Sequence, residues 1–88
     1  MSMWIPIPQD KDDPNVRAAR WDAGTLYVQF HATRNGLHRV YAYLGVDKRV
    51  LDSLCSAESP DRFHHEQIKG TYPWMEITGS PIHRALGE

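Results

Sequence analysis

Several basic, aromatic and amide side chains stand at spacings that suit recognition of an anionic, planar ligand. Arg20, Tyr27, Gln29 and His31 recur at alternate positions along two segments of strand-like pattern, with Arg17, Arg39, His65 and Lys69 as further candidates at the rim. An arginine can pair a phosphate bidentately, a tyrosine or histidine ring can stack a base, and an amide can read an exocyclic edge. Arg outnumbers Lys seven to three, which favours planar over point-charge recognition. A polar set of this kind is equally what the solvated face of a half-covered antiparallel sheet carries, so its meaning depends on which face it occupies.

Other chemistries have less support. Cys55 is the single cysteine, so neither an intramolecular disulfide nor a Cys-based zinc site can form. It falls in the apolar stripe of a helix-like run, the setting of an inert thiol rather than a nucleophile. His64-His65-Glu66 places adjacent histidines in different directions and matches no metal motif such as HExxH. No glycine-rich phosphate loop and no nucleophile setting stand out. Neither catalysis, nor a metal, nor a cofactor is expected.

Composition narrows the class further. Eighty-eight residues make one domain, 41% hydrophobic and 24% charged, with a net charge of −1. That balance carries no bulk electrostatic signature for nucleic acid. No apolar run approaches the length of a membrane span, and the first residues lack the basic and apolar segments of a signal peptide. The expected setting is cytoplasmic, with no membrane association. A chain this short buries a limited core, so a homo-oligomer is in play.

The elements that must position the polar groups read as a meander. Val16 to Trp21 alternates weakly, Ala23-Gly24 supplies a turn, and Thr25 to His31 alternates strongly. Asn35-Gly36 tolerates positive φ at both positions and predicts a two-residue hairpin into Leu37 to Tyr43. These turns set Trp21 opposite Leu26, Arg20 opposite Tyr27, Ala19 opposite Val28, Phe30 opposite Tyr41, Val28 opposite Tyr43, Gln29 opposite Ala42 and His31 opposite Val40. Strict alternation then gathers Ala19, Trp21, Leu26, Val28, Phe30, Tyr41 and Tyr43 on one core face. Arg20, Tyr27, Gln29 and His31 share the other face, expected open beside the small Ala18. Arg17 and Arg39 fall on the core parity and must reach the rim, toward Glu58 or Asp61 or toward a phosphate shared with Lys69.

Asp47 is a good N-cap for a helix from Lys48 to about Ala57, whose Val50, Leu51, Leu54 and Cys55 recur at helical spacing. Ser59-Pro60 can start a second, short helix with Phe63 and Ile68 inward, ended by Gly70. Residues 1–15, with Pro6, Pro8 and Pro14, form an extended arm. Its Trp4-Ile5-Pro6-Ile7 is apolar enough to pack on the domain or dock on a second copy. Tyr72 to Met75 runs on as extended chain, and the residues from Gly79 read as a loose tail.

In order and spacing, Leu26-x-Val28-x-Phe30, Tyr41-x-Tyr43, Gly45-Val46, Leu54-x-x-Ala57-x-Ser59 and Ile68-Lys69-x-x-Tyr72 resemble the KTSC domain over residues 15–72. That short domain is found alone in bacterial and phage proteins and at the C-terminus of some lysyl-tRNA synthetases. The resemblance implies its fold and, as the usual suggestion for the family, RNA binding. This chain departs at Asp47, where similar sequences have Pro. It departs again at Pro60-Asp61-Arg62-Phe63-His64-His65, where a glycine, a second aromatic and an asparagine are replaced. A ligand different from that of its relatives follows if this loop sets specificity.

The expected fold is therefore α+β: a three-stranded antiparallel meander packed by one long and one short helix, with the arm at 1–15, the domain at 16–75 and a tail at 76–88. The expected function is a non-catalytic binding module for a nucleotide-type ligand, either single-stranded RNA or a small signalling or cyclic nucleotide. Sequestration of such a nucleotide by a phage product is one concrete setting. The alternative is a protein-interaction or homo-oligomerisation module using Trp4, Ile5, Ile7 and Trp74.

Overall fold

The alternation between Val16 and Leu44 folds as the middle of a larger sheet. The computed structural model describes residues 3–8, 15–32, 36 and 38–86. It has strands β1 (Ile5–Pro6), β2 (Val16–Asp22), β3 (Thr25–Ala32), β4 (His38–Leu44) and β5 (Trp74–Glu76), all antiparallel and ordered in the sheet as in the chain. The expected three-stranded meander is thus corrected to five strands. The arm supplies β1, pairing Ile5 with Ala19 and Pro6 with Ala18, and the extended chain after Tyr72 supplies β5.

The β2–β3 turn at Ala23-Gly24 gives the expected partners, Trp21 with Leu26, Arg20 with Tyr27 and Ala19 with Val28. Both turn residues have positive φ, +48° at Ala23 and +88° at Gly24, as this tight reversal demands. Between β3 and β4 the register differs by two residues. Val28, not Phe30, opposes Tyr41, and Leu26, not Val28, opposes Tyr43. The strands close at Ala32 and His38 rather than on a two-residue turn, and an irregularity between Gln29 and Ala32 absorbs the rest. Residues 33–35 and 37 of that predicted turn lie outside the described residues. A two-residue displacement preserves parity, so Ala19, Trp21, Leu26, Val28 and Tyr43 keep the core face, while Arg17 and His31, beside the two irregularities, leave the faces their parity gave them.

The helices are all short, which corrects the expected long-plus-short pair. Helix α1 (Lys48–Ser56) starts at Asp47, whose carboxylate accepts the Arg49 N–H at 2.9 Å. Helix α2 (Pro60–Phe63) starts at Ser59 and widens directly into a π-helical segment, His64–Ile68. Leu51, Leu54 and Ile68 from this layer are buried with Ile7, Ala19, Leu26, Val28 and Tyr43. Segment 79–88, read from sequence as a loose tail, instead contains helix α3 (Pro81–Leu86). Leu86 packs with Trp4 and Tyr27 on a second cluster, Val40, Ala42 and Ile77. The sheet is therefore covered on both faces.

Candidate functional site

Along β4, alternation turns Arg39, Tyr41 and Tyr43 to the same face, and the start of β2 and the end of β3 approach them from the side. Where these strands meet the π-helical segment they leave a cleft of about 600 Å³, lined by Phe30, His31, Arg39, Tyr41, His64, His65, Lys69 and Trp74 among others. Its aromatic wall is continuous. Trp74 stacks on Tyr41 with ring centroids 5.3 Å apart and planes 8° from parallel. Tyr41 meets Phe30 edge-on at 5.5 Å, and Phe30 meets His64 edge-on at 5.2 Å.

The His64 end of the cleft comes from the widened turn. The Lys69 N–H donates to the His64 carbonyl at 2.8 Å, five residues back rather than four. Closing the turn over five residues brings the Lys69 backbone to His64, and His65 and Lys69 both line the cleft there. His64 is itself buried, and its Nε2 shares a 2.7 Å hydrogen bond with the Tyr43 hydroxyl. Burial, with the nearby charges of Lys69 and His65, pushes the His64 pKa down to about 4, so the ring is neutral at pH 7. Burial, then the neighbouring Tyr41, pushes the Tyr43 hydroxyl up to about 12. His64 and Tyr43 thus bring no charge to the cleft at pH 7.

Charge sits at the edges. Asp61, the carboxylate in the lining, accepts the backbone N–H groups of Asn15 at 3.0 Å and Val16 at 2.9 Å. Arg39 donates to the Tyr41 hydroxyl, lies with its guanidinium 5.5 Å from the Tyr41 ring centroid, and pairs loosely with Glu76 at 3.5 Å. Lys69 makes no ion pair with any described residue. Among the described residues no group of three or more His, Cys, Asp or Glu side chains is placed to hold a metal ion.

The structure divides the eight ligand candidates in two. Arg39, His65, Lys69 and His31 come together in the cleft. Arg20, Tyr27 and Gln29 do not, because the face expected to be open is covered, and Arg17, expected at the rim of the core face, turns to Gln29 instead. Arg20 donates to the Leu86 carbonyl at 2.9 Å, closing the end of α3, and lies 3.6 Å from Asp22. Tyr27 packs against the second cluster. Gln29 is 1% exposed and accepts a 2.7 Å hydrogen bond from Arg17. A register shift between Val16 and Ala18 lets Arg17 reach Gln29, so its expected partners Glu58 and Asp61 are replaced. Arg39 likewise pairs with Glu76 instead of those acids.

Of the interaction candidates, Ile7 is buried in the main core and Trp4 packs on the second cluster, while Ile5 is exposed in β1. Trp74 is 53% exposed and forms the cleft's rim. Sequence reasoning missed His64 as a cleft residue. Phe30 and Tyr41 pack against the main core as their parity implies, and they line the cleft as well. Nothing in the spacing of His64 announced a five-residue turn.

The KTSC domain profile matches residues 13–72. The crystal structure of a KTSC domain protein from Yersinia pestis is similar, with a TM-score of 0.67 and 26% sequence identity over 88% of this chain and 99% of that one. A search of curated proteins found no match.

Proposed function

The chain belongs to the KTSC domain family, and for this member we propose a non-catalytic binding module whose ligand is of the nucleotide type, single-stranded RNA or a small signalling nucleotide. One observation carries the reading: the cleft joins a continuous aromatic wall to Arg39 and to Lys69, which makes no ion pair with any described residue. Stacking on such rings contributes about 1–3 kcal/mol per base, and phosphate contacts add affinity without demanding sequence. The mutual engagement of His64 and Tyr43 in a buried hydrogen bond favours recognition over turnover. Cytoplasmic residence belongs to the same proposal. Among the described residues no helix is long and apolar enough to cross a membrane.

Calorimetric titration tests this with AMP, cyclic di-AMP and a hexa-adenylate RNA as probes. Saturable binding of at least one probe is expected, weakened about tenfold or more by either Lys69→Ala or Trp74→Ala, as loss of one charged hydrogen bond or one stacked ring implies. Circular dichroism should show both variants folded. No heat with any probe refutes the reading.

A second reading has its own observation. Leu44, Trp74, Met75 and Ile82 are exposed, three of them at or beside the β5 edge of the sheet. A homo-oligomer or protein partner would bury that edge. Sedimentation of a Met75→Lys variant against the parent decides it: a fall in mass supports an oligomer, and a monomeric parent removes it.

A further inference from the structure

Arg39 and Lys69 sit beside different rings of the cleft, and that placement speaks to the shape of the ligand. Arg39 stands at the Tyr41 end of the aromatic wall, with its guanidinium held against that ring by the Tyr41 hydroxyl and by Glu76. Lys69 and His65 stand at the His64 end, on the π-helical turn. Phe30 stands against both ends, its ring centroid 5.5 Å from that of Tyr41 and 5.2 Å from that of His64. This interval is apolar or neutral, since the Tyr43 hydroxyl and His64 are spent on each other. Among the described lining residues Asp61 is the one carboxylate, and it accepts the backbone amides of Asn15 and Val16.

We infer that the cleft is built for a nucleoside carrying phosphates on both its 3′ and 5′ sides, the base against the aromatic wall and one phosphate at each end. The inference rests on the nucleotide reading above and sharpens it. A diphosphate attached through one ribose oxygen brings both charges to the same end and leaves the other cation unused. A ribose phosphorylated on both sides reaches Arg39 with one phosphate and Lys69 with the other. Three sources share that chemistry: an internal residue of a single-stranded RNA, either half of a cyclic dinucleotide, and a free nucleoside bisphosphate. Arg39 and Lys69 act here as two independent anion contacts, each a charge-assisted hydrogen bond.

The deciding experiment is a calorimetric comparison of adenosine 3′,5′-bisphosphate with ADP and AMP on the full chain. ADP carries the same base and the same number of phosphates, but on one side. The bisphosphate should bind about tenfold or more tighter than ADP, the worth of one charged hydrogen bond. Arg39→Ala and Lys69→Ala should each bring it down to the AMP level. Both side chains are exposed, so the variants should fold, with circular dichroism as the check. Equal or tighter binding of ADP overturns this inference while leaving the nucleotide reading intact. Silence from every probe overturns both. The trinucleotide ApApA and cyclic di-AMP separate the sources: the tighter of the two identifies strand or ring, and a bisphosphate tighter than either identifies the free nucleotide.

Discussion

Replacing His64 with glutamine should remove a defined part of the protein's acid sensitivity. His64 is 8% exposed, bonded to the Tyr43 hydroxyl at 2.7 Å and edge-on to Phe30 at 5.2 Å. Its pKa is pushed down from 6.5 to about 4, mainly by burial and then by the charges of Lys69 and His65. The unfolded chain therefore takes up this proton at a higher pH than the folded chain does. Stability attached to the neutral ring is fully present above pH 6.5 and is lost as pH falls toward 4. At about 1.36 kcal/mol per unit of difference, going from roughly pH 8 to roughly pH 5 costs about 2 kcal/mol. In a domain this small that is a fall in Tm of ~8–16 °C.

Thermal melts of the parent and of His64→Gln across this range provide the assay. Glutamine keeps a polar partner for Tyr43 but has no proton to accept, so the difference between the two curves isolates His64 from the carboxylates and the other histidines. The parent should lose more Tm than the variant on acidification, by the amount above. Parallel curves, or a steeper variant, would refute the reasoning. That result would mean His64 is solvated well enough to titrate normally.

Asp61→Ala should destabilise the fold by about 1.5–3 kcal/mol, because the Asn15 and Val16 amides lose the charged acceptor that ties β2 to α2; a urea midpoint measures it. Glu76→Gln should tighten binding of adenosine 3′,5′-bisphosphate by freeing Arg39 from its 3.5 Å ion pair. Because that pair is exposed, urea denaturation should show stability unchanged to within about 0.5 kcal/mol.

The central strands were legible because their alternation runs long enough to fix parity. Leu26, Val28 and Tyr43 are buried as the pattern implied, and Asp47 and Ser59 cap the helices their residue types suit. The register between β3 and β4 was not legible, since an Asn-Gly pair marks a reversal without saying how many flanking residues join it. β1 and β5 are two and three residues long, too short to display an alternation at all. They become strands only because β2 and β4 offer edges to them. The same neighbour effect hid α3, whose Leu86 has value only against Trp4 and Tyr27 from distant parts of the chain. That missing layer is why Arg20, Tyr27 and Gln29 were taken for a binding face. The cleft itself depends on a π-helical turn, which hydrophobic spacing does not encode.

Because the order of strands in the sheet is the order along the chain, the architecture grows by accretion. Each strand needs only its predecessor as a template, so a course can be laid at either margin without rerouting what lies inside. The span matched by the family profile, residues 13–72, holds the three inner courses, and the two marginal ones fall outside it. Trp74, the rim of the cleft, belongs to one of those margins. The rim of the cleft is thus set by a course outside the matched span, while most of the main core, Ile7 excepted, lies inside it.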